Sequence, residues 1–134
     1  MDRTDAKNYL YRAWNLDREI DALERLKRST YDALTGATPK LDATPGGSPD
    51  PHRFDRYAAL AELIDQRVDE LADLRAELLR EIARVGNSRY RTLLLDRYVR
   101  FMRWEDIATE MHYAVRHVTR LHIEALDAFA AKMS

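Results

Sequence analysis

The chain has no cysteine among its 134 residues. Disulfides and thiolate chemistry are therefore excluded, and a reducing, cytoplasmic setting is the expected one. Long apolar runs are missing too. None approaches the roughly 20 residues a membrane span needs, and the N-terminus lacks a signal-peptide pattern. No membrane partner is expected. Nor does one sign of charge dominate, because 22 basic residues face 23 acidic ones for a net charge of −1. Proline and glycine are scarce at four each, and all four prolines and three of the four glycines fall within residues 35–53. That concentration marks one loop and leaves the remaining chain free of helix breakers.

What is present suits helices. Hydrophobic residues make up 46% and charged residues 34%, a balance that supports a folded helical chain. Residues 8–34 place Ala13, Leu16, Ile20, Leu23, Lys27, Thr30 and Leu34 at alternating steps of three and four, with Leu26 widening the stripe. Residues 54–85 repeat the pattern through Tyr57, Ala61, Ile64, Val68, Leu71, Arg75, Leu78, Ile82 and Val85, with Arg75 alone breaking the apolar seam. About four heptads of this kind predict a coiled pair, two helices about 40 and 48 Å long folded back antiparallel across the loop. Such a hairpin leaves part of its seam bare, so further burial is expected by self-association, as a homodimer through the hairpin, or against the C-terminal module. Gly86-Asn87-Ser88 then interrupts the pattern, with Gly86 as a helix stop and Ser88 as the cap of the next helix. The expected division is a hairpin over residues 1–86 and a second module over residues 87–134.

The second module has its own charge balance. Within residues 89–103 five arginines accompany a single acid, Asp96, a local excess able to form a phosphate-binding face. Ile107, Ala108 and Met111 fall on one short helix, and Val118 and Leu121 lie on the next, beyond a bend at His112-Tyr113-Ala114. Two helices crossing steeply need a small residue at the crossing and apolar anchors around it, which this spacing supplies. An ordinary helical hairpin would satisfy the same spacing.

Catalytic and metal chemistry find no foothold. His112, His117 and His122 are five apart and rotate off a common helix face, whereas metal pairs on a helix favour spacings of three or four. Glu105 and Asp106 suit the first turn of a helix, where acids meet the positive end of its dipole. Gly46-Gly47 is not followed by the lysine and helix of a phosphate loop. No nucleophile has a base in credible register, so the chain is read as non-enzymatic and without a cofactor.

Three segments carry a resemblance to a known family: Arg91-Thr-Leu-Leu-Leu-Asp-Arg-Tyr98, Trp104-Glu-Asp-Ile-Ala108, and Val118 onward into Arg120-Leu-His-Ile-Glu-Ala-Leu126. Together they resemble region 4 of the sigma-70 family, with its RxxLxxRY-type helix, W-x-(D/E)-I-A helix and recognition helix. With a coiled half ahead of it, the chain is similar to small phage and prophage transcriptional regulators of the ArpU/RinA kind. It departs from the family pattern at His112, where a turn glycine is usual, and at Arg103 and Ala114, where a capping Ser or Thr is usual.

The resemblance implies an all-α protein in which a long antiparallel coiled hairpin precedes a tri-helical helix-turn-helix module that binds double-stranded DNA. On the recognition helix, Val115, Arg116, Thr119 and Arg120 face outward, with His117 and Ile123 at the margins. Arginine can give guanine two hydrogen bonds, and threonine can touch a thymine methyl. Arg89, Arg91, Arg100 and Arg103 are then phosphate contacts, which position without reading sequence. RNA polymerase is a further partner that region 4 modules take. Two other readings share these features: a phage small terminase subunit that binds packaging DNA, and a helical protein-interaction module that binds no DNA.

Overall fold

The computed structural model describes residues 1–36 and 51–134, and most of the loop expected at 35–53 lies outside them. Every regular element among the described residues is a helix: α1 (Arg3–Thr35), α2 (Asp55–Ile82), α3 (Ser88–Tyr98), α4 (Trp104–Met111) and α5 (Val115–Met133). The all-α expectation holds at that level. No helix among these residues is long and apolar enough to cross a membrane.

α1 begins a full turn earlier than the apolar stripe suggested. Asp2 and Asp5 cap it reciprocally, the Asp5 N–H donating to Asp2 Oδ1 at 2.8 Å and the Asp2 N–H to Asp5 Oδ2 at 3.3 Å. This is the capping-box arrangement with two aspartates. At the start of α3 the cap is Asn87, not the expected Ser88. Asn87 has extended backbone angles, and its side-chain oxygen accepts from the N–H groups of Arg89 and Tyr90. Ser88 is already helical, so its hydroxyl cannot reach forward to those donors.

The described chain forms two compact units, and neither boundary falls at residue 86. One unit joins residues 1–16 to 71–134; the other spans 17–70. Within the 17–70 unit, the two helix segments run antiparallel: Glu19 pairs with Arg67 at 3.2 Å and Tyr31 stacks at a tilt on Tyr57 at 5.7 Å. Ile20 and Ile64 are buried between them. The seam does not keep the predicted register throughout. Arg67 is half-buried against Glu19 while Val68 is 45% exposed, and Leu26 lies on the outside. An open groove of about 580 Å³ is lined by Leu26, Ala33, Leu34 and Leu60 with Arg53 and Arg56.

The other unit has the larger core. Ala6, Leu10 and Ala13 of α1 and Leu78 and Ile82 of α2 are fully buried, as are Leu93, Leu94, Tyr98, Ile107, Val118, Ala125 and Phe129 from the three short helices. α5 packs against both α3 and α4. Aromatic and cationic side chains bind the α1 segment to them. Tyr9 meets Phe129 at 6.0 Å, Tyr11 meets Tyr98 edge-on at 5.1 Å, and Trp14 meets Phe101 edge-on at 5.6 Å. The Arg97 guanidinium lies 4.5 Å from both the Trp14 and Trp104 rings, and donates to the Met102 carbonyl and the Tyr11 hydroxyl. Arg75, the residue that broke the seam, is likewise accounted for: its guanidinium covers the Phe101 ring at 4.6 Å. These contacts place residues 1–16 in the same compact unit as the C-terminal helices.

Candidate nucleic-acid interface

α4 and α5 meet where the sequence places its small residue and anchors. Ala108 and Ile107 are buried on α4, and Val118 and Leu121 on α5, while Met111, also expected as an anchor, is only half-buried. The turn between them is built on His112, whose φ of 60° and ψ of 38° put it in the left-handed region. The Tyr113 N–H reaches back to the Ala108 carbonyl at 2.9 Å and the His112 N–H to the Thr109 carbonyl at 3.2 Å. That double bond pattern is a Schellman stop, here made without glycine. Neither Arg103 before α4 nor Ala114 before α5 provides a side-chain cap, as their residue types imply.

With Val118 and Leu121 turned inward, the first two turns of α5 present Val115, Arg116, Thr119 and Arg120 to the outside. Val115 is 46% exposed and Ile123, one turn beyond Thr119, is 39% exposed. Arg116 and Arg120 make no ion pair or guanidinium hydrogen bond among the described residues. His117 is half-buried and stacks on Tyr113, with ring centroids 4.3 Å apart and planes 24° apart. Arg89 stands next to this pair, its Nη1 3.5 Å from the Tyr113 hydroxyl, which raises the already high arginine pKa.

The remaining arginines are engaged within the unit. Arg91 donates to the Val85 carbonyl at 2.6 Å, bracing the segment that follows α2. Arg100 pairs with Asp96 at 2.9 Å and Glu110 at 3.5 Å. Arg103 pairs with Asp106 at 3.2 Å, and this exposed bridge raises its pKa. Asp96 is itself buried. Its carboxyl is pushed above the usual range by desolvation, against the opposing hydrogen bond from Arg100. The predicted phosphate contacts therefore divide: Arg89 is open apart from a long contact to a neutral hydroxyl, Arg100 and Arg103 are exposed but paired, and Arg91 is spent on the backbone.

Behind α5 lies a buried polar contact. His122 Nε2 is 2.5 Å from the Tyr98 hydroxyl, and the imidazole packs 4.5 Å from the Trp104 ring. Desolvation, reinforced by the positive charges of Lys7 and Arg97, holds His122 down at about 4. Burial drives Tyr98 in the opposite direction, well above the ordinary phenol value. Both groups are neutral at pH 7, so this contact supports α5 from within and is not available to a ligand. Among the described residues no three His, Asp or Glu side chains converge as a metal site would require.

Sequence reasoning placed Ile123 only at the margin and gave Tyr113 no part. Ile123 was legible, because Val115, Thr119 and Ile123 are spaced four apart and share a face. Tyr113 was not, since its role depends on the His112 turn bringing its ring onto His117. No family model, curated protein or solved structure matches the chain.

Proposed function

We propose that this chain is a sequence-specific DNA-binding transcriptional regulator, with α3–α5 acting as a helix-turn-helix module similar to sigma-70 region 4 and α5 as its reading helix. The observation that carries this reading is the outer face of α5. Two arginines without intramolecular ion pairs stand there beside exposed β-branched side chains, on a helix anchored from behind by buried residues. Arg100 and Arg103 pair with carboxylates of their own unit, whereas residues 115–123 hold no acid that could neutralise Arg116 and Arg120. Leaving Arg116 and Arg120 unpaired suits ligands that bring their own negative charge.

In this reading Arg116 and Arg120 meet base edges, and Arg89 holds a phosphate beside them. Arg100 and Arg103 add backbone contacts by exchanging their carboxylate partners for phosphates. The coiled hairpin provides self-association, supported by Leu26, Tyr31, Phe54 and Val68, all about half exposed in the 17–70 unit. A phage origin and a contact to RNA polymerase follow from the family resemblance.

The test is fluorescence anisotropy of the full chain with duplexes selected from a randomised library, read at several salt concentrations. Binding is expected to weaken with salt, with a slope of about −0.9 for each phosphate neutralised. The Arg116→Ala/Arg120→Ala variant is expected to lose the selected preference, each lost bidentate contact being worth about 1–3 kcal/mol. Light scattering on the same samples is expected to give twice the 15.7 kDa chain mass. Absence of any salt-dependent binding would overturn the reading, and a ring larger than a tetramer would favour the terminase alternative.

A further inference from the structure

The outer face of α5 carries two parallel rows. One is cationic, Arg116 and Arg120, a helical turn apart. The other is made of Val115, Thr119 and Ile123, at successive steps of four. Val115 and Ile123 are large β-branched side chains left 46% and 39% exposed, although the same helix buries Val118, Leu121, Ala125 and Leu126. Thr119 belongs with them chemically. Its hydroxyl donates to the Val115 carbonyl at 3.0 Å, so the hydrogen-bonding end is turned back to the backbone and the methyl group is what remains to offer.

Residues 115–123 contain two arginines, two histidines and no acid; the first carboxylate is Glu124, and it already accepts a hydrogen bond from the Tyr90 hydroxyl at 3.0 Å. An acid-free cationic row beside an apolar row fits a polyanion that carries apolar groups on its accessible edge. The major groove of duplex DNA has that composition: guanine presents two acceptors, and thymine presents a methyl group. The dimensions agree. From Val115 to Ile123 the helix rises about 12 Å, close to the width of that groove and equal to three or four base pairs at about 3.4 Å each.

We propose that the Val115–Thr119–Ile123 row reads thymine methyl groups, immediately beside guanines read by Arg116 and Arg120. This inference rests on the DNA-binding reading above and specifies its ligand: a core of three or four base pairs in which guanine and thymine adjoin. The arginines select guanine by hydrogen bonds. The β-branched row selects thymine over cytosine by apolar contact with a group cytosine lacks. All three side chains in the row are exposed, so truncating them leaves the fold in place, which a thermal melt of each variant verifies.

The experiment uses the full chain and duplexes enriched from a randomised library. Each enriched thymine is replaced in turn by deoxyuridine, which keeps every hydrogen-bonding group and removes only the methyl. Loss of one buried methyl should weaken binding about three- to fivefold at one or more of these positions. The same replacement should cost nothing in whichever of Val115→Ala, Thr119→Ser or Ile123→Ala has lost the contacting group. Enrichment of a motif indifferent to deoxyuridine would overturn the methyl-reading row while leaving the DNA-binding reading intact. A deoxyuridine penalty that persists unchanged in all three variants would do the same. Failure to enrich any sequence would overturn both.

Discussion

His122 shows how one buried side chain sets the acid limit of the unit it supports. Burial among the Trp104 ring of α4 and the Tyr98 hydroxyl of α3 strips it of water, and the positive charges of Lys7 on α1 and Arg97 on α3 disfavour a proton further. A histidine held at about 4 when folded, against 6.5 when free, takes up its proton far more readily in the unfolded chain. The stability it allows is therefore fully present above pH 6.5 and is lost as the pH falls toward 4. The loss approaches about 3 kcal/mol at the acid end. Urea midpoints measured between pH 7 and pH 4 are expected to fall steeply in the wild type. In His122→Gln, which keeps a polar partner for Tyr98 but cannot titrate, the fall should be shallower, and identical slopes would refute the assignment. The exposed Arg3–Asp127 bridge, by contrast, holds the aspartate carboxyl down but lies in open solvent, where such pairs add little.

Among the short helices, two residues share a left-handed backbone and have opposite reasons for it. His112 and Phe101 both have φ of 60°. At His112 the conformation stops α4, and the side chain is exposed. At Phe101 it turns a ring onto Trp14 and beneath Arg75. His112→Gly is expected to leave stability unchanged or raise it by up to about 1 kcal/mol, since relief of left-handed strain outweighs the added freedom of the unfolded chain. Phe101→Gly relieves the same strain but forfeits the ring contacts, and should cost about 1–2 kcal/mol. Thermal melts of the two variants check the opposite signs.

The contrast also marks what a sequence can disclose. The inward set Ile107, Ala108, Val118 and Leu121 follows from local spacing and was legible; the turn at residue 112 and the missing caps at Arg103 and Ala114 were legible only through the family resemblance. The extra first turn of α1 was written in Asp2 and Asp5 and needed only the capping rule with aspartate in place of glutamate. Phe101 was not legible, because nothing local favours a left-handed phenylalanine; its partners are remote in sequence. The same is true of Arg97, whose RxxLxxRY setting reads as a surface arginine until Trp14 and Trp104 enclose it. Val68 escaped for a subtler reason, since an apolar heptad position predicts burial only while the partner helix keeps register, and Arg67 with Glu19 occupies that place instead.

At the scale of the whole molecule, the most visible break in the sequence, Gly86-Asn87-Ser88, is not where the molecule divides. Residues 1–16 share a compact unit with residues 71–134. A fragment of residues 87–134 would retain α3–α5 but lose Leu10, Leu78 and Ile82, each fully buried and worth about 1.5–3 kcal/mol. It would also strip Arg97 and Tyr98 of Tyr11 and Trp14. Such a fragment is expected to melt broadly by circular dichroism and to bind selected duplexes far more weakly than the full chain, despite containing every proposed reading residue. A cooperative melt with undiminished affinity would show that the N-terminal segment is dispensable.

That shared unit also imposes an order of events during translation. Arg3 finds Asp127 across 124 positions, an interval of roughly 6–25 s at ordinary elongation rates. For that time the N-terminal helix leaves the ribosome with Leu10 and Tyr9 facing water, and the proposed reading face of α5 comes into being only after the last helix of the unit has emerged.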